Sequence, residues 1–186
     1  MKLVHPSSYV HATAIIGKDT TIGPFCNILD DCAIGDNTII GQNVFIDKEV
    51  IVGRNVVLGN NVSLCSGTFI EDDVFIGSSV VFTEALNPRT QPQKRKQARS
   101  LVKYSARISP NATIFQGNSI GRFAFIGAGA VITKAVLDYA LIVGNPSSQV
   151  GWVSEQGSRL SFMNNAASCH LTGDKYILEG RKVRKY

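Results

Sequence analysis

The chain has 186 residues, 44% of them hydrophobic and 18% charged, with a formal net charge of +5. That supports one packed domain with a small appendage, and no stretch approaches the ~20 apolar residues of a membrane span. Four cysteines (Cys26, Cys32, Cys65, Cys169) show no paired spacing, so neither a disulfide framework nor a zinc site is favoured, and "MKLVHPSSYVHATAIIG" lacks a secretion signal's apolar core. The expectation is a reduced, cytoplasmic protein.

From Val10 the sequence repeats every six residues. Val10, Ile16, Ile22, Ile28, Ile34, Ile40, Ile46, Val52, Leu58, Leu64, Ile70, Ile76 and Phe82 are all apolar. At this composition chance produces such a run roughly a few times in a hundred thousand. Four residues after each comes a small or β-branched residue, among them Thr20, Cys26, Cys32, Thr38, Val44 and Val50. The residue after the aliphatic is often glycine, but never along Leu29, Asp47, Cys65 and Thr83, which are spaced by eighteen. Six residues suit one short strand and one corner, and three units make a coil of eighteen. The prediction is a three-sided prism of parallel strands, with the aliphatic and small residues stacked inside. Gly, Asn and Asp serve the corners. On this reading Cys26 and Cys32 are small inward hydrophobes.

The repeat breaks at "EALNPRTQPQKRKQARS", predicted as an inserted loop over 84–101. It carries two prolines and most of a basic patch (Arg89, Lys94, Arg95, Lys96, Arg99, extended by Lys103). Long loops on rigid scaffolds tend to carry function. A second register then runs Val102, Ile108, Ile114, Ile120, Ile126, Ile132. The expected division is a β-helix over 1–146 and a C-terminal extension over 147–186. In the extension, Val150–Leu160 reads as a short helix or extended arm and Lys175–Leu178 as an edge strand. Cys169 and His170 are too isolated to define a metal site.

The aliphatic–Gly–x–x–small–x hexapeptide, over roughly 10–136, resembles that of left-handed parallel β-helix proteins. The resemblance implies an all-β, left-handed parallel β-helix of hexapeptide repeats, typically a homotrimer with ligand sites between prisms. The segments "GSSVVFTEALNPRT", "LVKYSARISPNATIFQG", "IGAGAVITKAV", "YALIVGNPSSQVGW" and "SEQG" in this order are similar to nucleotide-sugar 3-N-acetyltransferases. Among these they look most like the UDP-2-acetamido-3-amino-2,3-dideoxy-glucuronate N-acetyltransferases of surface-polysaccharide pathways. The implied co-substrate is acetyl-CoA, with no metal, no nucleic acid and no membrane span.

The resemblance also implies roles. Glu84 stands where the family has an asparagine that positions the sugar amine; it could accept the amine's hydrogen bond or take its proton. Asn87 and Arg89 would hold the sugar or its diphosphate, with Lys103 and Gln116 completing the substrate pocket. Gly127, Ala128 and Gly129 would line the pantetheine groove, and Asn145 and Pro146 would close on the coenzyme. The three histidines (His5, His11, His170) read as lying off the main coils. A hydroxyl needs a base to become a good nucleophile, whereas a neutral amine needs less help, so N-acetylation is the expectation. The alternatives are an O-acetyltransferase using Glu84 or Asp72 as base, or a non-enzymatic trimeric scaffold.

Overall fold

The computed structural model describes residues 3–83 and 98–186. The described residues form strands and turns, with no helix. The strands fall on three faces. The first runs in parallel from Leu3–Val4 through Thr21–Ile22, Ile39–Ile40, Val57–Leu58, Phe75–Ile76, Arg107–Ile108 and Phe125–Ile126 to Ala140–Val143. The second runs from Tyr9–Val10 to Val131–Ile132, and the third from Ile15–Ile16 to Ser119–Ile120. Partners on a face lie eighteen residues apart, as in Thr21 with Ile39 and Asn27 with Phe45. The hexapeptide pattern makes this a left-handed parallel β-helix.

Side-chain chemistry fixes the prism. Residues such as Ile28, Ile46, Leu64, Ile76 and Ile114 are completely buried, each contributing roughly 1.5–3 kcal/mol by leaving water. The alternate inward position is small because three walls converge there. Its polar members bond the coil above: Thr20 and Thr38 donate to the carbonyls of Gly35 and Gly53 at 2.8 and 2.9 Å. Cys26 and Cys32 reach Gly41 and Asp47 carbonyls, both at 3.0 Å, and burial pushes the Cys32 thiol up. These cysteines do pack as small core residues.

Corners repeat with the same period. Every sixth residue has positive φ, including Asp19 (54°), Asn37 (56°), Asn55 (55°), Asp73 (60°) and Asn111 (61°). Asn and Asp tolerate this region best after glycine. The glycine that follows the aliphatic answers a different need, close approach between coils. A Cβ on Gly59 would stand 2.6 Å from Ser78 N.

The insertion is shorter than the predicted 84–101. Phe75 pairs with Arg107 and Val81 with Thr113, steps of 32 instead of 18, so fourteen residues are inserted. Ser100–Val102 already forms a rung against Thr68–Ile70. Ser100 is buried in the small inward position and Leu101 stacks on Phe69, which is why the coil resumes there. The histidine reading also changes. His5 and His11 sit on the first coil, each following a rung strand, where Nδ1 bonds the Ser7 and Thr13 hydroxyls at 2.8 and 3.0 Å. They serve as turn residues at the end of the stack opposite Gly127.

After Ala140–Val143 the chain reverses. Ser148–Val153 and Arg159–Leu160 add antiparallel to the first face. Of the helix or extended arm expected over Val150–Leu160, the extended form is found, paired into the sheet because Val153 and Leu160 are buried beneath its end. A separate antiparallel sheet joins Ala166–Ser168, Lys175–Glu179 and Lys182–Lys185. Lys175–Glu179 is its central strand, not an edge: buried Tyr176 anchors it in a small core with Leu160, Ala167, Cys169 and Val183. Trp152 packs against both this core and the main one, so the extension caps a stack that would otherwise end in exposed rungs.

Candidate functional site

The edge between the second and third faces is where the insertion departs and returns. It is the edge where no glycine directly follows the aliphatic (Leu29, Asp47, Cys65 and Thr83 stand there), and side chains take the place of close backbone packing. Cys65 Sγ lies 3.1 Å from the Thr83 carbonyl. The Gln116 N–H donates to Thr83 Oγ1 at 3.1 Å, and Gln116 Nε2 reaches the Ser66 carbonyl at 3.5 Å. Gly117 N–H donates to Ser100 Oγ at 3.0 Å. Beside this network, on the third face, opens a cleft of about 640 Å³ lined by Glu49, Ile51, Gly67, Thr68, Phe69, Arg99, Ser100 and Leu101. Its walls are apolar, with one acid and one base at the rim, the composition expected of a small-molecule site.

Glu84, Asn87 and Arg89 lie outside the described residues. Gln116 is buried at this edge, next to the insertion's entrance. Gly127, Ala128 and Gly129 follow a first-face strand and so occupy the edge between the first and second faces. Gly144 is beside them, its carbonyl accepting from Val131 N–H at 3.1 Å. The structure thus brings the glycine turn and the Asn145–Pro146 turn together; that Asn–Pro peptide is cis. The amides of Gly127 and Gly129 are bonded to the Ile142 and Pro110 carbonyls at 2.7 and 3.0 Å. Ala128 N–H has no backbone acceptor among the described residues, which leaves it as the donor of this turn. A Cβ on Gly127 would stand 3.0 Å from Val143 Cγ1, so the turn stays low against the last rung.

Lys103 lies on the third edge, where its ammonium is 3.5 Å from Asp138 Oδ1. Gln116, Lys103 and the Gly127–Gly129 turn therefore occupy three different edges of one prism. Asp72, weighed as an alternative base, is bound by Arg54. Its Oδ1 accepts from Arg54 N–H and its Oδ2 from Arg54 Nη2, both at 2.7 Å. These bonds hold its carboxyl below the usual range, which makes it a weak proton acceptor.

The repeat arithmetic could not reveal a polar cluster under the extension. Lys185 Nζ meets Glu155 Oε2 and Asp174 Oδ2, both at 3.0 Å, and the Tyr139 hydroxyl reaches Glu155 Oε1 at 3.3 Å. Burial, reinforced by Glu155, pushes Tyr139 up to about 12. Hydrogen bonds from Ser154 and then Thr172 bring the Cys169 thiol down to about 6. Its partners all lie in the extension, so no sequence spacing announced it. Among the described residues no three His, Cys, Asp or Glu side chains gather as a metal set.

The bacterial transferase hexapeptide family (six repeats) matches residues 13–48 and 37–72. Residues 13–72 thus carry bacterial transferase hexapeptide repeats. A dTDP-3-amino-3,6-dideoxy-alpha-D-galactopyranose 3-N-acetyltransferase from Aneurinibacillus thermoaerophilus is 44% identical over 78 residues, which is 42% of this chain and 40% of that protein. A solved variant of perosamine N-acetyltransferase from Caulobacter crescentus, in complex with CoA and GDP-perosamine, superposes with a TM-score of 0.53 at 20% identity. That superposition covers 81% of this chain and 56% of the other, and carries the fold alone. The match thus spans two-fifths of the acetyltransferase from Aneurinibacillus thermoaerophilus and under three-fifths of the one from Caulobacter crescentus.

Proposed function

We propose that this chain is an acetyl-CoA-dependent N-acetyltransferase acting on the amino group of a nucleotide-linked amino sugar, in the synthesis of surface polysaccharide. The observation that carries the reading is the 44% identity to a dTDP-amino-sugar 3-N-acetyltransferase, on a prism whose hexapeptide repeats match bacterial transferases. The site chemistry agrees with it. An amine nucleophile needs only its neutral form at the thioester carbonyl; the C–N bond forms as the thiol leaves. In this reading Ala128 N–H, which has no backbone acceptor among the described residues, donates to the carbonyl oxygen as charge develops there. The low turn at Gly127, facing Val143, leaves room for the pantetheine arm, and the cleft at Phe69 and Leu101 receives the sugar on the side of Gln116. In this reading Glu84, Asn87, Arg89 and Lys103 contact the amino sugar nucleotide.

Because the candidate groups stand on three edges of one prism, the complete site forms between copies in a homotrimer, one copy's edge facing another's. The four cysteines are buried thiols, consistent with work in the reducing cytoplasm. No described helix is long and apolar enough to cross a membrane.

The deciding experiment measures thiol release by purified protein with acetyl-CoA and a panel of UDP- and dTDP-linked sugars, each offered as amine or as hydroxyl. Turnover restricted to amino sugars is expected. Turnover with hydroxyl sugars alone would transfer the assignment to O-acetylation, and turnover with none would leave a scaffold.

A further inference from the structure

The basic residues of the C-terminal hairpin play no part in the site just described, yet they are not scattered. Glu179 pairs with Lys182, leaving Gly180 and Arg181 as a two-residue turn. Gly180 has φ of 60°, the conformation such tight hairpin turns require, and the turn presents Arg181 outward. Along the following strand Val183 is buried, while Lys182 and Arg184 share the opposite side. The hairpin packs near the third edge of the last coils. Between them is a cleft of about 380 Å³ whose lining includes Lys103, Asp138, Arg181, Lys182 and Arg184.

The charges of this cleft do not balance. Asp138 Oδ1 already accepts from Arg122 N–H at 2.8 Å and pairs with Lys103 at 3.5 Å. Arg184 Nη2 pairs with Glu179 at 3.1 Å. Arg181 and Lys182 have no acidic partner among the described residues. Four cations thus meet two carboxylates, and the excess sits at the mouth of a concave space. The missing counter-charge is compact and multiply negative. A phosphate monoester or diphosphate fits, with about two charges and oxygens that match a guanidinium fork.

We infer that the cleft between the last coils and the C-terminal hairpin binds the phosphate groups of a substrate. That these phosphates belong to the coenzyme or to the nucleotide sugar rests on the proposed function; that the cleft takes phosphate does not. A long polyanion would call for cations spread along a strip, whereas these converge.

The test is calorimetry on the full chain with pyrophosphate, 3′,5′-ADP, 5′-AMP and UDP. Wild type should bind pyrophosphate, and the Arg181→Ala/Lys182→Ala variant should lose at least about tenfold, the value of one charge-assisted contact. Both side chains are exposed, so the double variant's melting curve should match wild type. Arg181→Glu, one reversed charge in a turn, gives a second variant if it does not. Preference for 3′,5′-ADP over 5′-AMP would assign the cleft to the coenzyme, and preference for UDP to the nucleotide sugar. Absence of binding to every probe overturns the inference. So does equal binding by the variants, or tighter binding of duplex DNA than of any small phosphate. Turnover in the double variant with both KM values unchanged would refute the cleft and leave the acetyltransferase standing. Phosphate binding by a wild type that turns nothing over would do the reverse.

Discussion

The Gln116 N–H donates to the Thr83 hydroxyl at 3.1 Å, so one bond ties the coil after the insertion to the last described residue before it. Thr83 is also held from below, its carbonyl 3.1 Å from Cys65 Sγ. The insertion therefore leaves from a fixed point.

Replacing Thr83 by valine keeps the shape and removes the acceptor. The Gln116 amide is buried, so losing its partner should destabilise the fold by about 1–3 kcal/mol. Thr83→Ser keeps the acceptor and should recover most of it. Urea unfolding of the three proteins checks this. Equal midpoints for Val and wild type would mean the bond is replaced by another contact.

Two glycines should fail for opposite reasons. At Gly59 a methyl would meet Ser78 N at 2.6 Å and Gly77 C at 2.8 Å, both backbone. Overpacking of this kind costs about 1–3 kcal/mol or more, and every side chain suffers it. At Gly129 nothing lies within 4 Å of the added atom, but φ is +67°, a conformation that costs alanine about 1–2 kcal/mol. Asparagine tolerates that region. Thermal melts should show Gly129→Asn close to wild type, and Gly59→Asn at least as unstable as Gly59→Ala.

Lys185 fastens the extension's hairpin between Glu155 and Asp174, both 3.0 Å away. The carboxylates, Asp174 first, raise the Lys185 ammonium; Thr172 and then Lys185 lower the Asp174 carboxyl. The signs follow from linkage. A depressed carboxyl contributes stability above its unfolded value, near 3.9, and loses it as pH falls through the folded value. A raised ammonium contributes fully below its unfolded value, near 10.4, and loses it as pH rises through the folded one. Lys185→Met should therefore be less stable than wild type at pH 7, and the gap should close as pH falls below the aspartate range. Unfolding midpoints across pH 2–7 measure it; a gap that persists in acid would assign the effect to packing of the lysine stem.

The six-residue period made the prism legible because each aliphatic has one destination, the inside of a coil. Ile28, Ile46 and Leu64 stack as their spacing required. Corner conformation was half legible: Asn37, Asn43, Asn55 and Asn61 recur on the period, but Phe25 and Phe123 take the same positive φ, and no propensity rule would place them there. Phe123 is held by stacking on Tyr139 at 5.1 Å, a contact between residues sixteen apart. The extension was least legible. Lys175–Leu178 read as an edge because Lys182–Lys185, its outer neighbour, is three charges around a single buried valine. The site divided the same way. The Gly127 and Asn145 turns were legible as turns from their local motifs, and the structure sets them side by side, whereas the Thr83–Gln116 bond crosses 33 residues and follows no spacing rule.

Glu84 decides between positioning and proton transfer in the proposed reaction. It follows Thr83 in sequence, the residue that Gln116 and Cys65 hold. Glu84→Gln keeps the size and one acceptor oxygen but removes the basicity. If the glutamate takes the amine's proton, kcat should fall about 100-fold or more, with a smaller change in the amino sugar's KM. The loss should shrink as rising pH supplies more neutral amine without help. If it only orients the amine, kcat should hold while KM rises, at every pH. Steady-state kinetics of wild type, Glu84→Gln and Glu84→Asn on the accepted amino sugar separate the two. Unchanged kcat/KM in both variants would remove Glu84 from the mechanism, leaving the neutral amine to attack unassisted.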